Sequence, residues 1–535
     1  MHSPSSSPDL DRRQFVAAAL ATAALAANAP GSDATFELAE TSLDKLRRAL
    51  ELGKVTSAAL VTGYLKRIAS LDRRGPALNS VIELNPDALA IAKSMDAERR
   101  DKKVRGPLHG VPILIKDNID TADRMATTAG SLALVGARPA KDAFLVSRLR
   151  AAGAVILGKT NLSEWANFRG NRSTSGWSGR GGLTRNPYAV DRNPSGSSSG
   201  SGVAAAASLC AAAVGTETDG SIMSPSSVNG VVGLKPTVGL ISRSGVIPIS
   251  RSQDTAGPMA RTVRDVALLL SGLVGVDPED ASTAASKDKL VADYAKSLDP
   301  AGLKGARLGV LRLQGGFIPQ VDAVFAQVLA DVKKQGAELI DPVAMPSLGR
   351  LGNAESTVLR YEFKAGLNEY FAKLLPGAPV KTLKDVIDFN ERVAELELRY
   401  FGQQTMIGSE EKGPLTSKEY LDALDRCRRA TRNDGIDAVM ERYRLDAIIV
   451  PTTGPAGVTD LLYGDRGVGG SSTIAAVAGY PAITVPAGFI HGLPVGVTFF
   501  GKAWSEPVLL KLAYAYEQAT KRRRPPRYLS TAEVG

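Results

Sequence analysis

Short runs of wholly apolar residues, bounded by glycine or proline, limit the fold more than any other feature of this chain. Ile113-Leu-Ile115 and Ala154-Val-Ile-Leu157 are the clearest. A strand with one wet face alternates polar and apolar residues, whereas a run apolar throughout suits a strand covered on both faces. Such strands need helices on either side of their sheet, which predicts an α/β protein. Further strands are read at Ser80–Leu84, Arg307–Leu311, Glu338–Ile340, Asp446–Val450, Ala482–Val485 and Val495–Phe499. Between them, apolar spacing predicts two helices over Thr41–Leu71, broken near Gly53, and one from Pro86, in its first turn, to Arg100. An Ala-rich helix is predicted over 203–214, another over 321–335, several over 355–445, and a last one over Glu506–Thr520.

Residues 170–202 break this rhythm. Gly, Ser, Asn and Arg dominate there around Trp177, and a long loop inside a compact domain is usually functional. It ends in Gly196-Ser-Ser-Ser-Gly-Ser-Gly202, and Glu217-Thr-Asp-Gly-Ser-Ile222 follows soon after. Glycine permits tight turns and close backbone approach, so Gly196 and Gly200 predict a constrained turn that brings the Ser197 hydroxyl inward. The consecutive backbone N–H groups of Thr218, Asp219, Gly220 and Ser221 could form an oxyanion hole.

A serine nucleophile needs an adjacent base. The chain has three histidines, His2, His109 and His491. The last two sit in Gly/Pro-bounded segments that read as turns before strands, with structural roles. Lys116, at the end of the Ile113–Ile115 run, is the other candidate. Burial can lower a lysine pKa by on the order of 3–5 units, enough to leave the amine neutral. The pattern is that of a serine hydrolase working without histidine.

Composition narrows the alternatives. With 44% hydrophobic and 22% charged residues, the chain reads as a soluble globular protein. Cys210 and Cys427 allow at most one disulfide, and Cys210, in its Ala-rich run, reads as a packed thiol. Neither HExxH nor CxxC occurs, which leaves nothing with zinc spacing, so no metal is expected. The net charge of +10 is spread over scattered basic residues without a nucleic-acid-binding motif, so no nucleic acid partner is expected. Asp11-Arg-Arg-Gln-Phe15, before an apolar Ala-rich segment reaching about Ala29, matches a twin-arginine export signal. The organisation expected is a leader over 1–29, one catalytic domain over 35–525 and a tail over 526–535, in a periplasmic or secreted protein. No later stretch is long and apolar enough to suggest a stable membrane anchor. The sequence leaves the oligomeric state open.

The motifs together resemble the amidase signature family along nearly the whole chain after the leader. They are Pro112-Ile-Leu-Ile-Lys-Asp-Asn118, the loop 196–202 and Gly215-Thr-Glu-Thr-Asp-Gly-Ser-Ile222. Gly230-Val-Val-Gly-Leu-Lys-Pro-Thr237, Gln253-Asp-Thr-Ala-Gly-Pro258 and Ala478-Gly-Tyr-Pro-Ala-Ile-Thr-Val-Pro-Ala487 add to them. The resemblance implies the amidase-signature fold, a large mixed and mostly buried sheet with helices on both faces. It also implies a Ser–cis-Ser–Lys triad: Ser221 as the acylated nucleophile, Ser197 behind a cis peptide as proton relay, Lys116 as base. The activity implied is hydrolysis of a small-molecule or peptide amide without a cofactor.

Many members of the family carry two glycines before the nucleophile. Here Asp219 takes the place of the first, and its carboxylate would oppose a developing oxyanion unless it points away; the sequence leaves open whether it tunes specificity or packs. Glu217–Ile222 and Arg169-Gly-Asn-Arg-Ser-Thr-Ser-Gly-Trp177 read most like the peptide amidase branch, which acts on C-terminally amidated peptides. Trp177 reads either as part of an acyl pocket or as a packed indole. The alternatives are a general aliphatic or aryl amidase, an esterase, a component of an amidotransferase for charged tRNA, and a binding protein that has lost catalysis.

Overall fold

Eleven strands form one mixed sheet. In chain order they are β1 (Val81–Leu84), β2 (Pro112–Lys116), β3 (Val155–Thr160), β4 (Ala212–Glu217), β5 (Val232–Lys235) and β6 (Thr255–Ala260). β7 (Arg307–Leu311), β8 (Glu338–Val343), β9 (Ala447–Pro451), β10 (Ala482–Ile490) and β11 (Leu493–Phe500) complete it. Across the sheet they run β1-β3-β2-β4-β6-β5-β10-β11-β9-β7-β8. β2 pairs in parallel with β3 and β4, and β7 with β8 and β9; the other neighbours are antiparallel. The computed structural model describes residues 36–313, 317–374 and 377–534, with Leu38–Gly535 forming one compact unit. The leader read over residues 1–29 lies outside the described residues.

Every residue of β2, β3, β4, β5, β6, β9 and β11 is buried, so the central sheet is covered on both faces. The helices Ser199–Ala206, Met223–Val228, Val263–Leu273, Pro319–Lys334 and Glu506–Thr520 pack against it. This is the α/β architecture that the apolar runs predict. A second apolar layer joins Phe363, Leu367 and Phe371 of the helix Ala354–Phe371 to Val386, Trp165 and Ile249. Among the described residues no helix is long and apolar enough to cross a membrane. Both cysteines are buried and free.

Three local expectations are corrected. The helix expected over 203–214 is Ser199–Ala206, and Ala212–Glu217 is strand β4. Alanine favours helix only weakly; here pairing decides, because Ala212 and Ala213 stand opposite Ile113 and Leu114 of β2. β5 and β6 were not anticipated as strands, since Gly233, Gly257 and Pro258 are residues that strands usually avoid. A Cβ on Gly257 would run into the Leu234 carbonyl, so the close approach of these strands requires glycine. Pro86 stands before the helix Ala88–Arg100 rather than in its first turn.

Candidate active site

Lys116 is the last residue of β2, and its side chain is fully buried. Parallel pairing with β4 carries the chain on to Thr216 beside it. Lys116 Nζ donates to Ser197 Oγ at 2.8 Å, Ser198 Oγ at 3.0 Å, Thr216 Oγ1 at 2.9 Å and the Thr216 carbonyl at 3.2 Å. Among the described residues no carboxylate touches the amine. Burial therefore brings the Lys116 pKa down to about 7, against a weaker opposing pull from Asp254 and Glu217. Asn118 Nδ2 also donates to Thr216 Oγ1, at 3.0 Å.

The loop that carries Ser197 is tightly braced. The Gly196–Ser197 peptide is cis, and Ser195 has a positive φ of 57°. Asn193 Oδ1 accepts from the Ser195 N–H at 2.6 Å, and Ser199 Oγ donates to the Ser195 carbonyl at 2.5 Å. A Cβ on Gly200 would overlap the carbonyls of Ser80 and Asn161, so only glycine lets the loop lie this close to β1 and β3. Ser198 ties the loop to β4: its Oγ donates to the Thr216 carbonyl at 3.0 Å and accepts from the Thr216 N–H at 3.1 Å.

Ser221 follows β4 in a short loop closed by Glu217. Glu217 Oε2 accepts from the N–H groups of Ile222 at 2.7 Å and Met223 at 2.9 Å, which folds residues 218–221 into a compact turn. Gly220 supplies the positive φ of 77° that the turn requires. The Ser221 carbonyl accepts from the Ser198 N–H at 3.1 Å, joining the two serine loops. Among the described residues the N–H groups of Thr218, Asp219, Gly220 and Ser221 make no hydrogen bond, and neither does Ser221 Oγ. Thr218 Oγ1 donates to Asp254 Oδ1 at 2.6 Å, while Asp254 Oδ2 accepts from the N–H groups of Ile249 and Ser250, both at 2.8 Å.

The structure thus gathers the residues the sequence singled out: Lys116 contacts Ser197 directly, and Ser221 is held to the same loop. The Asp219 carboxylate points to the helix Ser472–Ala478, accepting from Ser472 Oγ at 2.6 Å and Thr473 Oγ1 at 2.7 Å. The sequence reading missed Ser198, Thr216, Gln253 and Asp254. All four lie inside the family motifs, but their contacts exist only once the strands are paired. His109 is structural, its buried ring Nε2 lying 2.9 Å from the Met95 carbonyl. Trp177 is a packed indole, edge-on to Tyr400 and Phe401 with the Arg169 guanidinium 5.0 Å from its centroid. A cavity of about 550 Å³ beside Phe489 and Arg524 shares no residue with this site.

Chemically, the cluster offers a buried amine able to shed its proton near neutrality, a hydroxyl in contact with it and a second serine on an adjoining turn. That turn also presents free N–H donors. This is an arrangement for acyl transfer.

Known proteins resemble this chain in sequence and fold. The Amidase family model matches residues 59–510. A probable amidase of Arabidopsis thaliana is 42% identical over 505 residues, covering 93% of this chain and 93% of its own. A glutamyl-tRNA(Gln) amidotransferase subunit from Pseudomonas syringae pv. syringae is 36% identical over 493 residues, covering 90% of this chain and 98% of its own. The solved structure of native peptide amidase from Stenotrophomonas maltophilia superposes with a TM-score of 0.88 at 52% identity, over 92% of this chain and 99% of that one.

Proposed function

The chain belongs to the amidase family and is an amide-hydrolysing enzyme, and on that premise we propose that it cleaves the C-terminal amide of peptides through an acyl-enzyme on Ser221. Neutral Lys116 takes a proton from Ser197 as Ser197 takes one from Ser221. Ser221 Oγ then attacks the amide carbonyl. The oxyanion is held by N–H groups of residues 218–221, whose removal one at a time would cost on the order of 10²–10³ in rate. The proton returns through Ser197 to the leaving nitrogen, and ammonia departs as the C–N bond breaks. Water, activated by the same pair, hydrolyses the ester and restores Ser221.

The observation that carries this reading is the 2.8 Å contact between Ser197 Oγ and a fully buried lysine whose pKa burial lowers to about 7. The substrate class is supported by the 52% identity to peptide amidase across nearly both whole chains. Ammonia release from a C-terminally amidated dipeptide, beside its free acid and a simple aliphatic amide, tests it with Ser221→Ala as control. Turnover of the peptide amide alone supports the proposal. Equal or better turnover of the simple amide would move the assignment to a general amidase. The likeness to the Pseudomonas amidotransferase component favours a second reading, in which the chain works only inside a tRNA-dependent complex. Ammonia release by the purified chain alone would rule that out. The Arg12-Arg13 leader pattern supports export, which N-terminal sequencing of the protein recovered from cells tests.

A further inference from the structure

Glu355 lies in the first turn of the helix Ala354–Phe371, partly buried beside Asp219. Its Oε1 accepts from Gln253 Nε2 at 3.0 Å, and the same nitrogen donates to the Thr218 carbonyl at 3.2 Å. Its carboxyl group also lies within electrostatic reach of the Asp219 carboxyl. Two carboxyl groups so placed favour one proton between them, because two carboxylates would repel. Both Asp219 oxygens already accept hydroxyls, from Ser472 and Thr473, so the proton belongs on Glu355. Burial first, and the Asp219 charge second, push the Glu355 pKa up to about 8. The other ionisable groups facing the pair are Cys427, toward Glu355, and Glu217 and Lys235, toward Asp219.

Asp219 is two residues before Ser221, inside the segment that would hold the oxyanion. A carboxylate free to turn inward there would oppose the negative charge that develops in acyl transfer. Glu355 on one side and the two hydroxyls on the other hold it outward.

We propose that Glu355 is a positioning residue for acyl transfer: bonded through Gln253 to the Thr218 carbonyl and set beside Asp219, it fixes the 218–221 turn and keeps the Asp219 carboxylate turned toward Ser472 and Thr473. The inference rests on Ser221 being the nucleophile. Glu355 touches no reacting atom in this role and passes no proton along the reaction path. Ionising Glu355 converts the brace into a repulsion, so turnover falls as pH rises through about 8.

The test is the pH profile of ammonia release from an amidated dipeptide by the full-length chain, its Glu355→Gln and Glu355→Ala variants, and Ser221→Ala. Glu355→Gln keeps the carbonyl oxygen that accepts from Gln253 and cannot ionise. It should keep kcat within about threefold of wild type near neutrality and lose the alkaline fall. Glu355→Ala should lower kcat by about tenfold or more with KM changed by less than about twofold. Three results would overturn the proposal: a wild-type profile with no alkaline fall, a Glu355→Gln profile that keeps it, or a Glu355→Ala variant that raises KM while sparing kcat. Should Glu355→Ala fail to fold, the Glu355→Gln profile decides alone. Retained turnover in Ser221→Ala would instead sink the nucleophile assignment, a separate failure.

Discussion

Lys116 Nζ lies 2.8 Å from Ser197 Oγ, and among the described residues no acidic side chain shares the contact. A lysine paired with a carboxylate would stay protonated; this one is surrounded by hydroxyls and a carbonyl, and burial lowers its pKa to about 7. The base must be neutral to act, so kcat/KM should rise with pH through about 7, the activity being lost below it. Lys116→Ala should lose most turnover at every pH. A profile flat between about pH 6 and 8, or an active Lys116→Ala enzyme, would contradict the assignment.

Ser221 Oγ makes no hydrogen bond among the described residues, whereas Ser197 Oγ is bonded to Lys116. Truncating Ser221 to alanine should therefore leave stability within about 0.5 kcal/mol of wild type while abolishing ammonia release. Thermal unfolding and turnover measured on one preparation check both halves. A strongly destabilised Ser221→Ala variant would mean that the hydroxyl has a structural partner.

Much of this site was legible in the sequence, and the limits are instructive. Lys116 stands out because it ends a wholly apolar run in a chain that also carries two Gly-Ser elements close together. Gly200 and Gly220 show why those elements need glycine, one by close approach and the other by positive φ. Thr216 and Ser198 could not be paired with Lys116 in advance, because their contacts exist only once β4 is known to lie beside β2. The same dependence hid β4 itself, whose alanines read locally as helix. Glu355 was beyond reach for a further reason. A glutamate in the first turn of a helix is ordinary capping chemistry, and nothing near it in sequence points to Asp219.

Arg169 is fully buried, with Nη1 2.7 Å from Glu164 Oε1 and Nη2 bonded to the Phe401 carbonyl at 3.0 Å. Its guanidinium also lies over the rings of Phe401 and Trp177, and its Nη1 is near the carboxylates of both Glu164 and Glu397. Burial, and then Glu164, raise the Glu397 pKa. Removing the cation leaves two carboxyl groups buried without it, so Arg169→Ala should cost about 3–5 kcal/mol in chemical denaturation. Adding Glu397→Gln should recover part of that loss, since one carboxyl is then neutral. A single variant within about 1 kcal/mol of wild type would show the cluster to be dispensable.

Lys116 also sets a pH dependence of stability that is separable from catalysis. Its ordinary pKa is 10.5, and burial in the fold brings it to about 7. Between these values the unfolded chain binds the proton and the folded protein does not, so this residue makes stability rise with pH across that window. Below about 7 both states are protonated, and the folded protein bears the full cost of a buried ammonium. Lys116→Met keeps the volume and carries no charge. The difference between variant and wild type should therefore favour the variant most at about pH 7 and shrink steadily toward about pH 10. Hydrogen bonds lost to Ser197, Ser198 and Thr216 offset the whole comparison by a constant, but they do not change its slope. Other titrating groups are common to both proteins and cancel. Denaturation midpoints of the two, taken across this window, check the prediction: parallel curves would mean that Lys116 is not a depressed base, whatever the turnover assays report.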